Sequence, residues 1–274
     1  MRGFVRFFGV LTILGPLVFS GPRGSSASEV KWIDLPVSTG GSVRALLGIP
    51  DGISKAPGVV YSHGTFVRRL GYDAAKAKGY DVADYVEALN KAGFVALAPI
   101  RDEGVLPDPF NARRGEVGRE SKPSIKAGME QGIASLQAAV AFLREHPTAT
   151  GKVGGIGFSE GGLVTLWSLL RKLDTNAAVL MSPATFKKAG RLNMKNAAKS
   201  DGFANIKGPV LITLGEHDNP AILKGVKSRL IPKMKDEDVT LETRLTYPGD
   251  HSWFWKVQPE HFSDVRAFLI QHLN

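Results

Sequence analysis

Residues 157–161 read Gly157-Phe158-Ser159-Glu160-Gly161, a G-x-S-x-G pentapeptide between two apolar runs. The run before it, residues 151–156 (GKVGGI), is short and small, which is typical of a buried parallel strand. The run after it, residues 162–170 (GLVTLWSLL), has apolar residues at helical spacing. A strand, a one-residue corner and a helix put Ser159 in a strained turn, where flanking glycines avoid collisions. The pentapeptide therefore predicts a serine nucleophile at the end of a strand.

A nucleotide-binding loop is one competing interpretation of this glycine-rich stretch. Gly155 and Gly157 begin a G-x-G-x-x-G pattern, but Glu160 stands where the third glycine is required, and no G-K-[ST] follows. A turn with a solvated serine is the other alternative. The strand before Ser159 and the helix after it favour a catalytic serine.

Candidate partners for the serine follow in the order acid, then histidine. An apolar run at residues 208–215 (GPVLITLG) leads into Asp218, and an alternating run at residues 239–247 (VTLETRLTY) leads to His251. Each side chain follows a predicted strand, at the edge where open α/β sheets build their sites. An imidazole must take the serine proton and a carboxylate must orient the imidazole. We therefore predict Ser159, Asp218 and His251 as the catalytic residues.

Other acids and histidines compete for these two roles. Glu216 is nearer the strand end and can cap or pair locally, while Asp250 adjoins His251 and would have to turn back onto it. His217 lies beside the candidate acid and has the wrong place in the chain order. These arguments favour Asp218 and His251 and leave the others as alternatives.

Acyl transfer also needs backbone N–H donors for the charge that develops on the carbonyl oxygen. The N–H of Glu160, directly after the nucleophile, is the first candidate. The second is the N–H of Thr65, in the loop after the β-rich run at residues 58–62, with Phe66 as its nearest competitor. We expect His63, in the same loop, to be a structural histidine that hydrogen-bonds the loop in place.

Strand-like and helix-like stretches alternate along the 274 residues, which suffice for one large domain. Strands are predicted near 30–35, 42–48, 58–62, 94–98, 151–156, 177–181, 209–214 and 239–246, and helices near 82–92, 123–145, 160–171, 220–230 and 260–273. This alternation predicts an α/β fold, a mostly parallel twisted sheet of about eight strands with helices on both faces. Residues 185–203 are a candidate small cap. Residues 253–255 (WFW) either pack behind His251, which we favour, or form part of an acyl pocket.

The first 27 residues differ from the rest of the chain in their pattern of charged and apolar residues. Two arginines precede an uncharged, mostly apolar stretch at residues 7–22, and residues 25–27 (SSA) form a small-x-small cleavage pattern. This layout predicts a secretory signal peptide over residues 1–27, a catalytic domain over residues 28–274 and a secreted or periplasmic location. An uncleaved anchor is the alternative, but the stretch is short for a membrane span and contains glycines and a proline.

The charge and composition of the chain limit the classes of partner and cofactor that it is expected to bind. The net charge of +9 becomes +6 for residues 28–274, because three arginines and no acidic residue precede them. The basic residues are dispersed without aromatic interleaving, which argues against nucleic acid. One basic cluster is either a solvated face or a rim that steers anionic substrates; its members are Lys187, Lys188, Arg191, Lys195 and Lys199. With no H-E-x-x-H motif, no cysteine and no clustered histidine pair, we expect neither a metal nor another cofactor.

Together these motifs resemble the α/β-hydrolase-fold serine hydrolases, in particular the dienelactone hydrolase-like branch and its small acyl-peptidase-like relatives. The resemblance is carried by VVYSHGT (59–65), ALAPIR (96–101), ARRGEVGRE (112–120), GGIGFSEGG (154–162), LITLGEHD (211–218) and YPGDHSWFW (247–255). It implies a single hydrolase domain over most of residues 30–274. Dienelactone hydrolases proper use a cysteine nucleophile, whereas this chain has no cysteine and offers a serine.

The leading functional hypothesis is hydrolysis of a carboxylic ester through an acyl-enzyme on Ser159. Cleavage of a short peptide or amide by the same residues is the alternative, and acyl transfer to another hydroxyl is a further one. An inactive exported binding protein would be expected to show a degraded motif, whereas the serine, acid, histidine and both oxyanion loops are intact here. The expected partner is therefore a small-molecule ester or a short peptide.

Overall fold

The computed structural model describes residues 30–38, 40–101, 122–187 and 189–274. Its strands form one sheet in the order β1-β2-β4-β3-β5-β6-β7-β8. Their bounds are β1 Val30–Pro36, β2 Ser42–Gly48, β3 Ala56–Ser62, β4 Val95–Pro99, β5 Ala149–Phe158, β6 Ala177–Met181, β7 Val210–Gly215 and β8 Leu241–Tyr247. Strand β2 is antiparallel to β1 and β4, and the other neighbouring pairs are parallel. The predicted sheet of about eight mostly parallel strands is confirmed.

Helices connect these strands on both faces of the sheet. Their bounds are α1 Thr65–Leu70, α2 Tyr72–Ala77, α3 Val82–Lys91, α4 Lys122–Glu145, α5 Glu160–Leu170, α6 Met194–Ala197, α7 Pro220–Gly225, α8 Ile231–Asp236 and α9 Pro259–Leu273. The helix predicted over residues 220–230 is too short, because a π-helical turn at Val226–Leu230 carries α7 into α8. Pro232 lacks the N–H that a regular α-helix would use there, and the wider turn before it accommodates that loss. The short helices α1 and α2 were not expected.

Successive residues of the central strand face opposite sides of the sheet, as the pleat requires. Val60 belongs to the hydrophobic cluster that includes Leu136 of α4 and Leu166 of α5. Its neighbour Val59 belongs to a second cluster, with Val86 of α3 and residues of α9. The two clusters are the cores on the two faces, so the sheet is buried between helical layers.

The carboxyl ends of the parallel strands share one edge of the sheet, and the loops that follow them are joined there by backbone hydrogen bonds. The N–H of Ser159 donates to the carbonyl of Met181 over 2.9 Å, and the N–H of Ser182 donates to that of Thr213 over 2.8 Å. These bonds hold the residues after β5, β6 and β7 in fixed register at the edge where sites form.

Three sequence features fall outside the described residues: the predicted signal peptide at 1–27, the motif at 112–120 and Lys188 of the basic cluster. In the part of the chain that the structure describes, no helix is both long and apolar enough to cross a bilayer.

Candidate active site

The pentapeptide around Ser159 forms a sharp corner between β5 and α5. Ser159 has φ 55° and ψ −113°, and a positive φ in a non-glycine residue stores strain that is typical of functional sites. A Cβ at Gly157 would lie 2.3 Å from the carbonyl oxygen of Gly161, and one at Gly161 would lie 1.9 Å from that of Ser62. Only glycine fits at either position, so the two glycines permit the corner that presents Ser159.

The structure brings together the three side chains that the sequence predicts as catalytic. The Ser159 hydroxyl lies 2.8 Å from His251 Nε2, and His251 Nδ1 lies 3.0 Å from Asp218 Oδ1. Asp218 is buried, while the His251 side chain is 32% exposed toward the site. The N–H of Asn219 also donates to Asp218 Oδ1 over 2.6 Å. The arrangement is a continuous hydrogen-bonded series from hydroxyl to imidazole to carboxylate.

The competing acids and histidine lie elsewhere. Glu216 and His217 are exposed on the loop after β7. The Asp250 carboxylate caps the 3₁₀ turn that begins at His251, accepting from the Ser252 N–H over 2.9 Å and from the N–H of Trp253 over 3.0 Å. Asp250 therefore shapes the loop that carries His251 and does not contact its imidazole.

Ser182 is a member of this constellation that the sequence analysis missed. It follows β6 with φ 45°, its hydroxyl donates to Asp218 Oδ2, and its oxygen lies 2.9 Å from His251 Nδ1. The Nδ1–H therefore faces two acceptors, the Asp218 carboxylate and the Ser182 oxygen. A signal was present, because Ser182 directly follows a predicted strand at the same sheet edge as Ser159.

The two predicted oxyanion donors begin helices beside Ser159. Glu160 and Thr65 are the first residues of α5 and α1, and first-turn N–H groups have no partner within their helix. A Cβ at Gly64 would lie 3.2 Å from the Cβ of Ser159, so the loop after β3 passes directly against Ser159. Thr65 lines the same cleft as Ser159, and so does its competitor Phe66.

The side chain of Glu160 has a second, unexpected environment. It is completely buried and pairs with two buried arginines: Arg68 Nε lies 2.7 Å from Oε1, and an Arg101 terminal nitrogen lies 2.6 Å from the same oxygen. Burial alone would raise the pKa of Glu160, but the charges of Arg101 and Arg68 outweigh it and hold the pKa below its usual value. This ion cluster ties α5 to α1 and to the end of β4, and no sequence motif predicts it.

His63 has the structural role that the sequence suggested. Its Nε2 accepts the N–H of Arg101 over 2.9 Å, and its Nδ1 donates to the carbonyl of Gly64 over 2.9 Å. Burial first, and then the charge of Arg101, lower the pKa of His63 well below its usual value. His63 is thus a neutral bridge between the loops after β3 and β4.

A cleft of about 620 Å³ opens above Ser159. Its lining is mainly apolar, with aromatic side chains on several sides; Phe66, Phe158, Phe186, Ile222 and Trp255 contribute. The expectation that residues 253–255 only pack was partly wrong. Phe254 is buried, but Trp255 stacks on Phe66 at 4.5 Å and lines the cleft, because the 3₁₀ turn directs successive side chains to different sides.

The segment 185–203, the candidate cap, contains α6 and two 3₁₀ turns. It contributes Thr185, Phe186 and Lys187 to the lining of the cleft. Within the described residues, no group of three His, Cys, Asp or Glu side chains is arranged to hold a metal ion.

The sequence matches the model of the dienelactone hydrolase family over residues 43–267. The chain belongs to the dienelactone hydrolase family. It is therefore a hydrolase, and Ser159 stands at the centre of its G-x-S-x-G corner. No curated protein sequence matches the chain.

Solved structures with a similar fold include both esterases and peptidases. Esterase Pf2001 of Pyrococcus furiosus superposes with a TM-score of 0.64 at 20% identity, covering 90% of this chain and 92% of its own. Brefeldin A esterase, a bacterial homologue of human hormone-sensitive lipase, gives 0.62 at 16%, with 96% and 81% covered. The acylaminoacyl peptidase of Pyrococcus horikoshii gives 0.62 at 15%, with 90% and 42% covered. At these identities the likeness shows the α/β-hydrolase fold.

Proposed function

We propose that this dienelactone hydrolase family member cleaves carboxylic esters through an acyl-enzyme on Ser159. The observation that carries the proposal is the hydrogen-bonded series Ser159 Oγ to His251 Nε2 at 2.8 Å and His251 Nδ1 to Asp218 Oδ1 at 3.0 Å. These distances lie within the reach that nucleophile, base and orienting acid require.

In the first half of the reaction, Ser159 Oγ attacks the ester carbonyl carbon while His251 Nε2 takes the hydroxyl proton. The negative charge on the carbonyl oxygen is received by the N–H groups of Thr65 and Glu160. Asp218 stabilises the imidazolium, and Ser182 holds the carboxylate of Asp218 in place through its other oxygen. His251 then gives its proton to the departing alkoxide, leaving the acyl group on Ser159.

In the second half, water takes the place of the alcohol. His251 Nε2 removes a proton from the water as its oxygen attacks the acyl carbon, and the same N–H groups receive the second oxyanion. Collapse breaks the bond to Ser159 Oγ, which recovers its proton from His251. The products are a carboxylic acid and an alcohol, and the enzyme returns to its starting state.

The lining of the cleft favours esters over peptides as substrates. An exopeptidase needs groups that grip a peptide terminus and hold the leaving nitrogen against the histidine. Among the described residues, the lining of the cleft contains no carboxylate that could bind an amino terminus. The apolar lining suits the acyl or alcohol part of a small ester, and the two esterases above match this chain over most of their length.

Matched activated substrates test this proposal. p-Nitrophenyl acetate and butyrate should be turned over well, and aminoacyl-p-nitroanilides poorly or not at all. The Ser159→Ala variant should lose about 10³-fold or more in kcat while remaining folded. A kcat/KM for an anilide comparable to that for the short ester would replace the esterase proposal with the peptidase one.

We also propose that residues 1–27 direct export and are removed, as their charged start, apolar stretch and cleavage pattern suggest. Intact mass of the protein recovered from a bacterial host, fractionated into periplasm and cytoplasm, tests this. A product that keeps these residues in the cytoplasm would count against export.

A further inference from the structure

A second cavity of about 480 Å³ adjoins the catalytic cleft. The two share part of their lining, namely Thr185, Lys187 and Ala221, so they lie side by side. The linings differ in character. Around Ser159 the lining is mainly apolar and aromatic, with Arg69 and Lys187 as its cations, whereas six of the eight residues that line the second cavity are polar or charged.

Every charged residue that lines the second cavity is a cation. They are Lys187, Lys195, Lys224 and Arg229, and all four side chains are exposed. Among the described residues, no carboxylate forms an ion pair with any of them. Four uncompensated positive charges around one concave surface produce a positive potential that attracts anions. We call this surface the cationic groove.

Two separate parts of the chain build the cationic groove, and they are packed closely together. Segment 185–203 provides one wall, and α7 with the following π-helical turn provides the other. A Cβ at Gly225 of α7 would lie 2.6 Å from Thr185 Cγ2, so only glycine permits this approach. The N–H of Met194 donates to the carbonyl of Thr185 over 3.1 Å, which fixes the first wall. The convergence of the four cations is therefore a property of the packed fold.

We infer that the cationic groove binds a negatively charged oxygen group of the substrate, a carboxylate, sulfate or phosphate, at a distance from the ester that reacts. This inference rests on the proposed function and names the substrate class: an ester with an apolar part beside Ser159 and an anionic group beyond it. A substrate of this kind matches the lining of both adjoining cavities. It places no charge beside the apolar lining around the nucleophile.

Matched pairs of esters test the inference on either side of the reacting bond. On the acyl side, p-nitrophenyl monoesters of linear dicarboxylic acids with four to ten carbons are compared with p-nitrophenyl esters of monocarboxylic acids of equal length. On the alcohol side, 4-sulfophenyl butyrate is compared with phenyl butyrate. The readout is the ratio of kcat/KM for the anionic ester to kcat/KM for the neutral one, at low ionic strength.

The variant Lys195→Gln/Lys224→Gln/Arg229→Gln removes three charges of the cationic groove. The control Lys55→Gln/Lys172→Gln/Arg266→Gln removes the same charge from exposed positions that line neither cavity. Exposed charges contribute about two- to fivefold each, so we expect the anionic-to-neutral ratio of the groove variant to fall about tenfold or more. The control should keep the wild-type ratio within about twofold, because distant exposed charges are screened by salt.

Isothermal titration calorimetry with inorganic tripolyphosphate supplies a readout that does not depend on turnover. Binding should weaken about tenfold in the groove variant and stay unchanged in the control variant. A wild-type ratio at or below one on both sides of the ester, or equal losses in the two variants by either readout, would overturn the inference. If neither the neutral nor the anionic esters are hydrolysed, the proposed function fails instead, and calorimetry alone decides whether the groove binds anions.

Discussion

At the scale of single residues, Ser182 illustrates how a site can depend on a side chain outside the expected triad. Its hydroxyl donates to Asp218 Oδ2, and the N–H of Asn219 donates to Oδ1. Each oxygen of the Asp218 carboxylate therefore accepts a hydrogen bond in addition to the contact with the imidazole of His251. A buried carboxylate held at both oxygens keeps one orientation, and that orientation sets the ring of His251.

Ser182→Ala should lower kcat for a short neutral ester about tenfold with little change in KM, because a hydrogen bond to a charged group contributes about 1.5–3 kcal/mol. Steady-state kinetics on p-nitrophenyl butyrate measure both constants. Ser168→Ala is the matched control, since its hydroxyl donates to the carbonyl of Val164 within α5 over 2.8 Å. An unchanged kcat in Ser182→Ala, or an equal loss in the control, would show that Ser182 does not position the acid.

Glu160→Gln should destabilise the protein strongly while keeping the backbone N–H of residue 160. Removing the charge leaves Arg68 and Arg101 buried without their carboxylate, and breaking such a cluster costs about 3–5 kcal/mol. For a domain of this size that is a fall in Tm of about 10 °C, measurable by calorimetry.

The control for this prediction is Glu130→Gln, which makes the same change in an exposed pair with Arg171 at 2.6 Å, where the two side chains are 43% and 40% exposed. Exposed pairs contribute about 1 kcal/mol or less, so its Tm should move by no more than a few degrees. Equal shifts in the two variants would contradict the account of the buried cluster.

The sequence was informative about residues whose place follows from chain order. Ser159, Asp218 and His251 each follow a strand at one sheet edge, so their meeting could be predicted. Arg68, by contrast, pairs in the protein interior with Glu160, which lies 92 positions away in the sequence. No local sequence pattern predicts such a contact. Ser182 also follows a strand, but a polar residue after a strand is common and needs the structure to single it out.

At the scale of elements, the corner between β5 and α5 depends on close backbone approaches. Strand β3 ends at Ser62, whose carbonyl oxygen occupies the space that a side chain at position 161 would need. The helix α5 can therefore begin directly above the sheet only if residue 161 has no Cβ. The same approach brings the loop that carries Thr65 next to Ser159.

Gly161→Ala should prevent the native corner from forming, because its Cβ would lie 1.9 Å from the carbonyl oxygen of Ser62. We expect a loss of soluble folded protein, or a large fall in Tm with loss of activity. Gly155→Ala is the matched control within β5, where the nearest atom to the new Cβ, Thr165 Cγ2, is at 3.7 Å. Wild-type stability and activity in Gly161→Ala, measured by circular dichroism and ester hydrolysis, would contradict the packing argument.

Element prediction succeeded where patterns were long and failed where they were short. All eight strands and the long helices α3, α4, α5 and α9 follow from apolar runs and helical periodicity. The helices α1 and α2 have six residues each and are separated by Gly71 at φ 86°. Helices of that length are marginal by themselves, so tertiary packing decides them and the sequence pattern does not.

At the scale of the whole molecule, a buried histidine links stability to pH. His261, in the first turn of α9, packs against the rings of Tyr247, Trp253 and Phe254. Its Nε2 lies 3.2 Å from Thr213 Oγ1. Burial lowers the pKa of His261 from 6.5 to about 4, although Asp264 opposes the shift. Between these two values the unfolded chain binds a proton that the folded chain does not.

Stability should therefore be intact above pH 6.5 and fall as the pH drops toward 4, with His261 contributing up to about 3 kcal/mol of the loss. His63, whose pKa is also lowered by burial, acts in the same direction. Urea unfolding at pH 7 and pH 4.5 measures the difference. In His261→Leu that difference should be smaller than in wild type, and in the exposed control His217→Leu it should be unchanged. An equal difference in all three proteins would remove His261 as a source.

The central claim is that Ser159 is the nucleophile, activated by His251 and Asp218. The most direct measurement is labelling of the folded protein with a fluorophosphonate, followed by mass spectrometry of the modified peptide. We expect one label on Ser159, none in Ser159→Ala, and labelling slowed by about 10²-fold or more in His251→Ala, because general-base catalysis contributes typically 10²–10⁴-fold. A label on another serine, Ser182 included, or no label on the native wild-type protein would contradict it.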